Sequence, residues 1–279
     1  MKKQNAIIRI VIFSIVIILL LGLLAAGLGG KYYLARFTAS SSSANIASRG
    51  EVDASKVRNL DIQWVSGSVT VQPGDTDAII FSEDEDLPED EKLIWKLSGD
   101  TLVIQFCKTQ VLVGFQSTHS KDLVITVPKD WECGTLELEL VSADAEITDL
   151  TAKTIDLENV SGECLFQNCS TDSFDAETVS GNVDFAGSLR LLSFDTVSAD
   201  CTATVFNTPT EVDLDSVSGN LDITLPETCG FVAELDSASG NIRSDFSASV
   251  SGGRYVYGDG SCQIEGNSLS GDIMIRKGN

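Results

Sequence analysis

One short phrase returns eight times along this chain: an apolar residue, Ser, Gly or Ala, a polar residue, then a second apolar residue. It reads Val65-Ser66-Gly67-Ser68-Val69, Val141-Ser142-Ala143-Asp144-Ala145, Val160-Ser161-Gly162-Glu163-Cys164 and Val179-Ser180-Gly181-Asn182-Val183. It continues as Val197-Ser198-Ala199-Asp200-Cys201, Val217-Ser218-Gly219-Asn220-Leu221, Ala238-Ser239-Gly240-Asn241-Ile242 and Leu269-Ser270-Gly271-Asp272-Ile273. From Ser142 onward the serines step by 19, 19, 18, 20, 21 and 31 residues. A period near twenty with strand-like composition signals a solenoid, in which each unit buries its apolar face only against its neighbours.

The residues before each phrase align without gaps. Counting back from the leading apolar residue, positions minus five and minus three hold Leu136/Leu138, Ile155/Leu157, Phe174/Ala176, Leu192/Phe194, Val212/Leu214 and Ala233/Leu235. Positions minus four and minus two hold Glu137/Glu139, Asp156/Glu158, Asp175/Glu177, Ser193/Asp195, Asp213/Asp215 and Glu234/Asp236. This alternation has a period of two and predicts strands with one buried face. It resumes after the phrase at Cys164/Phe166, Val183/Phe185, Leu221/Ile223 and Ile273/Ile275.

Each unit therefore reads as a strand, a Ser-Gly corner, a second strand and a polar connection. The small residue after Ser suits a tight bend or a close backbone approach. Ala at 143 and 199 makes closeness, rather than a positive φ, the expected requirement. Asn182, Asn220 and Asn241 share one position, the last two in consecutive units, where stacked polar side chains can hydrogen-bond from rung to rung. The expected fold class is all-β: a parallel β-solenoid of about seven or more turns, about 34 Å tall for seven rungs at ~4.8 Å each.

Residues 1–9 carry Lys2, Lys3 and Arg9, and nineteen uncharged residues follow from Ile10 to Leu28. That run is long enough to cross a bilayer as a helix, and the leading cations favour a cytoplasmic N-terminus. We read 1–9 as cytoplasmic, 10–30 as a transmembrane anchor and 31–50 as a Ser/Ala-rich linker. A cleaved signal peptide is the alternative, with Ala25-Ala26-Gly27 as its small-residue site. The reading places the folded part outside the cell, attached to the membrane by one helix.

The net charge is −22, and residues 1–30 contribute +3 without an acid, so the remainder carries −25. Such a chain lacks the clustered Lys and Arg that phosphate neutralisation requires, which argues against nucleic acid. Its natural partners are cationic: metal ions, basic peptides or basic surfaces. Of the seven cysteines, Cys164 and Cys201 hold one inward position two units apart, with Val183 between them. Two rungs are about 9.6 Å, beyond the ~7 Å reach of a disulfide, so both read as small buried hydrophobes. One or two bridges among Cys107, Cys133, Cys169, Cys229 and Cys262 stay open, and nothing in their spacing suggests zinc.

Residues 51–135 carry strand signals without the clean period and read as opening turns plus the cap that hides the first edge. Strands are expected over Asp61 to Val71, Ala78 to Phe81, Leu93 to Phe106 and Lys121 to Val127, the last stopped at Pro128. Glu83 to Glu91 has seven acids in nine residues and reads as a solvated loop. Residues 136–279 are the regular repeats.

On these residues the chain resembles the bacterial "putative-adhesin" family of β-strand repeat proteins, also labelled LiaG-like, a domain of unknown function. The likeness rests on the Ser-Gly phrases followed by Asp or Asn, on Val127-Pro128-Lys129-Asp130, and on Leu225-Pro226-Glu227-Thr228. The closing segment from Ser261-Cys262-Gln263-Ile264 to Ile273-Met274-Ile275 completes it, over roughly residues 55 to 276. The resemblance implies a parallel β-solenoid displayed outside a bacterial cell, often tethered by one helix. It supplies no catalytic residues.

Chemistry has few candidates. His119 is the single histidine, and no G-x-S-x-G phrase surrounds a serine that it could activate. Leu225-Pro226-Glu227-Thr228 is interrupted as a sorting signal by Cys229, and Gly252-Gly253 and Gly258-Asp259-Gly260 read as turns. Stacking in register predicts two acidic ladders. One is Glu139, Glu158, Glu177, Asp195, Asp215 and Asp236; the other is Glu137, Asp156, Asp175, Asp213 and Glu234. Carboxylates ~4.8 Å apart repel by about 0.9 kcal/mol per pair even in water, and Ca²⁺ prefers carboxylate oxygens. The expectation is a non-enzymatic surface protein for adhesion, scaffolding or cell-envelope response, with cell-envelope or surface proteins as partners and no cofactor. Cation or basic-peptide binding along the first ladder is the alternative, and a polysaccharide-cleaving carboxylate pair a third.

Overall fold

The computed structural model describes residues 44–84, 87–107 and 120–278. The expected anchor at 10–30 and His119 lie outside the described residues, and among those described no helix is long and apolar enough to cross a membrane. The regular structure described is all strand apart from one 3-10 turn at Ala54–Lys56.

The coils stack in parallel register through their Ser-Gly corners. Leu60 pairs with Leu136, Leu136 with Ile155, Ile155 with Phe174, Phe174 with Leu192, and Leu192 with Val212. Positions minus five and minus three point inward, so Leu138, Leu157, Ala176, Phe194 and Leu214 form a vertical apolar file, each 1% exposed or less. Phe166, Phe174 and Phe185 continue the core as ring contacts with centroids 4.8 and 5.1 Å apart. Burying one such side chain contributes about 1.5–3 kcal/mol, and the period of two puts two of them into each strand. Cys164 and Cys201 face inward on either side of Val183, as the spacing predicts.

The coils do not stack in the order of the chain. Val212 pairs with Ile264, and Ile264 with Ala233 on its other side, so the last coil lies between the coils of Ser218 and Ser239. At the other end the first coil, Asn59–Gly74, lies between Glu132–Thr148 and an outer coil built from Thr101–Gln105 and Lys121–Pro128. Nine coils are thus described, with the first and last in chain order each one place in from an end. Asn220 and Asn241 are therefore not neighbours; Asp272 sits between them. This arrangement clamps both terminal coils on two faces. The outermost coils are closed by antiparallel strands: Arg49–Asp53, Ala78–Ser82 and Ile94–Ser98 at one end, Ser249–Ser251 and Arg254–Tyr257 at the other. Antiparallel capping hides the open edge on which a further parallel strand would grow.

Two sequence readings change here. Residues 45–46 and 49–50, read as the end of the linker, already pair as strands, Asn45–Ile46 with Trp95 and Ile94, and Arg49 with Ser82. The acidic run is not wholly solvated. Glu83 is 5% exposed and pairs with Lys121 at 2.5 Å, because the first coil and the cap close over that carboxylate.

Candidate functional site

The corner is built by two vertical files of side chains. From Ser142 onward each serine hydroxyl donates to the carbonyl of the apolar residue one coil away: Ser142 to Val65, Ser161 to Val141, Ser180 to Val160 and Ser198 to Val179, at 3.0–3.3 Å. The pattern continues across the reordered end, with Ser218 on Val197, Ser270 on Val217 and Ser239 on Leu269. The residue after Gly or Ala accepts in the same direction. Asp144 takes the N–H of Glu163, Asn182 that of Asp200, Asp200 that of Asn220, Asn220 that of Asp272, and Asp272 that of Asn241. Short Asp and Asn side chains are what this span demands, which explains their recurrence.

Between these files the chain passes close to itself. A Cβ on Gly181 would lie 2.2 Å from the Gly162 carbonyl oxygen, and one on Gly219 2.1 Å from that of Ala199. Of the phrase glycines only Gly67 and Gly162 have positive φ, so closeness is the common requirement, as Ala143 and Ala199 suggest. A third file went unread in the sequence. Thr178, Thr196, Ser216, Ser268 and Ser237 stand just before the phrase, and Thr196, Ser268 and Ser237 accept the N–H of Ala199, Gly271 and Gly240. The signal was present as an unbroken hydroxyl position among Ile, Leu and Phe.

On the outer face the first acidic ladder forms without interruption through five rungs. Glu139 pairs with Glu158, Glu158 with Glu177, Glu177 with Asp195, and Asp195 with Asp215. Asp236 does not continue it, because Asn267 of the inserted coil lies between Asp215 and Asp236 and donates to Asp215 at 2.8 Å. Gln63 precedes Glu139 at the opposite end. The uncharged amides thus close both ends of the file. In the second ladder Glu137, Asp156 and Asp175 are consecutive, Ser193 interrupts, and Asp213 and Glu234 are separated by Glu265.

The electrostatic consequence is one of sign. Burial, then neighbouring carboxylates, raise the pKa values of Asp156, Glu158 and Glu177 above their ordinary range. Asp195 is pushed up to about 7 by burial and then by Asp215 and Glu177; Asp213 rises to about 6 by burial and then by Glu211 and Glu265. Among the described residues no ion pair reaches Glu158, Glu177, Asp195 or Asp215, whereas Arg254 meets Glu234 at 2.9 Å. No three described Asp, Glu or Cys side chains converge as metal ligands would. Next to the files runs an exposed aliphatic one that includes Val141, Val160 and Leu269. An open depression of about 590 Å³ lies apart from all of these, lined by Asp75, Asp77, Asp130 and Trp131 among others.

A parallel β-solenoid with stacked Ser-Gly corners is the class these observations define. The Toastrack DUF4097 family model matches residues 57–251, and the chain belongs to that family. No curated protein matches the chain. Among solved structures, one similar chain is a "putative cell adhesion protein" from Clostridium sporogenes. It is 14% identical with a TM-score of 0.38, over 85% of this chain and 99% of that one. Another is a "putative adhesin" from Bacteroides fragilis, 14% identical with a TM-score of 0.44, over 85% and 98%. A third is a "putative lipid binding protein" from Parabacteroides distasonis, 13% identical with a TM-score of 0.43, over 86% and 98%.

Proposed function

We propose that this protein is a non-enzymatic, membrane-anchored surface protein whose acidic β-solenoid serves adhesion, scaffolding or cell-envelope response. Residues 10–30 form its single membrane-spanning anchor in this reading, and the column stands outside the cell as a surface for envelope or cell-surface proteins. The observation that carries the proposal is the repetition of the outer face. Carboxylate, hydroxyl and aliphatic files run from coil to coil, so the column offers many equivalent contacts and singles out no one pair of acids. Protease treatment of intact cells tests it: the folded part is expected to be shed while a cytoplasmic marker stays whole. Protection of the solenoid until the membrane is permeabilised would overturn the placement.

A second reading, binding of cations or basic peptides along Glu139, Glu158, Glu177, Asp195 and Asp215, is favoured by the raised pKa values of Glu158, Glu177 and Asp195. A bound cation relieves the neighbouring-carboxylate repulsion that adds to burial in raising them. Millimolar Ca²⁺, or a short polylysine, is then expected to raise the melting temperature beyond an ionic-strength control. An unchanged transition would remove this reading and leave the first intact.

A further inference from the structure

The seven cysteines are all buried as thiols, and the fold brings Cys229 and Cys262 side by side. Cys229 and Cys262 are each 0% exposed, and each thiol acts on the other's acidity as a near neighbour. The contact is built by the backbone. Cys262 opens the strand Cys262–Ser268 and pairs with Phe231, and its N–H donates to the carbonyl of Gly230 at 3.0 Å. Cys229 immediately precedes Gly230 and is fixed by its own turn, its N–H donating to the Pro226 carbonyl at 2.9 Å. One ladder hydrogen bond thus sits between the two cysteines. Both belong to the part of the column where the chain leaves its own order.

We propose that Cys229 and Cys262 are a disulfide site, whose bridge locks the inserted C-terminal coil between the coils of Ser218 and Ser239. Two buried thiols on either side of a single ladder hydrogen bond reach the ~2.05 Å of an S–S bond by side-chain rotation. Cys164 and Cys201 stand two rungs apart with Val183 between them, beyond the reach of a bridge. The first nucleophile is Cys229, whose acidity the Cys262 thiol increases by hydrogen bonding.

The oxidant is a disulfide-bearing exchange partner, either a protein or a small molecule. The Cys229 thiolate attacks one of its sulfurs and displaces the other as a thiol. Cys262, deprotonated, then attacks the Cys229 sulfur of the mixed disulfide and expels the second thiol. Two electrons and two protons leave the cysteine pair, and one disulfide is exchanged for two thiols. Because both sulfurs are buried once the column is complete, the exchange belongs to the docking of the last coil, and the finished bridge is shielded from reductants. The inference rests on the surface placement proposed above only for the oxidising compartment in which the bridge would persist.

The test uses the full chain in mild detergent, unfolded, then refolded in a glutathione/glutathione-disulfide buffer, alkylated and mapped by mass spectrometry. Expected are five alkylated cysteines and one cross-linked peptide joining Cys229 to Cys262. The oxidised chain is expected to melt on the order of 10 °C above the same chain reduced. Cys201→Ala is expected to retain the cross-link and Cys262→Ala to lose it. Seven alkylated cysteines in a folded chain, or a bridge through any other pair, would overturn the proposal. Since the readout is on purified chain, it is separable from the protease experiment on cells.

Discussion

Lys121 Nζ lies 2.5 Å from a carboxylate oxygen of Glu83, and neither side chain is more than 1% exposed. The ammonium also donates to the Glu91 carbonyl at 2.8 Å and stands 4.9 Å from the Trp64 ring centroid, while Glu83 accepts the N–H of Leu93. The pair ties the acidic segment and the strand Lys121–Pro128 to the first coil. Lys121→Ala leaves a buried carboxylate without its cation and is expected to cost about 3–5 kcal/mol. The double variant Glu83→Gln/Lys121→Met is expected to recover part of that loss. Denaturant midpoints at constant m-value check both, and a single variant as stable as the native chain would contradict the assignment.

Gly181→Ala places a methyl against the Gly162 carbonyl, with the Asn159 amide also at 2.2 Å. The corner must open to admit it, at a cost of about 1–3 kcal/mol. Gly99→Ala is the comparison, because a Cβ there meets nothing within 4 Å although φ is +67. Thermal melts that ranked Gly181→Ala as the milder of the two would show that closeness does not govern the corner.

The carboxylate files predict a pH dependence. Asp195 and Asp213 have folded pKa values of about 7 and about 6, raised from the unfolded 3.8 chiefly by burial and then by neighbouring acids. The folded state therefore binds more protons than the unfolded one between these limits, and stability falls as pH rises from about 4 to 7. At fixed ionic strength the chain is expected to melt higher at pH 5 than at pH 8. Asp195→Asn is expected to narrow that gap and to stabilise the chain at pH 8 by about 1–2 kcal/mol, after solvent screening of a partly exposed group. Equal melting temperatures at the two pH values would refute the repulsion.

Leu214 stands at full burial between Phe194 and Gly266. Leu214→Asp buries a charge with no cation in reach and is expected to abolish the cooperative transition. Asp215→Asn, one residue on and facing outward, is expected to leave the transition in place. Circular dichroism melts distinguish them, and a retained transition in Leu214→Asp would mean that the file is not a core.

The first acidic ladder was legible as far as Asp215, since Glu139 through Asp215 lie on coils that follow one another in the chain. Asp236 was misplaced because the sequence period makes every coil an equally good neighbour, and Asn267 shares the position. Glu83 was hidden for a different reason. Inside a run of seven acids nothing marks the one that a lysine thirty-eight residues further on will meet. The pairing of Cys229 with Cys262 is of the same kind, invisible to spacing and visible once the inserted coil is in place.

Which side chains face inward follows from local alternation, because a strand turns each successive residue to the opposite face regardless of its surroundings. The period of about twenty and the Ser-Gly corners likewise required only the amino-acid order. The succession of the coils was decided in three dimensions. Equivalent coils offer each other nearly the same apolar file, so their order is selected at the two ends. There the free edges must be covered and the terminal coils held from both sides.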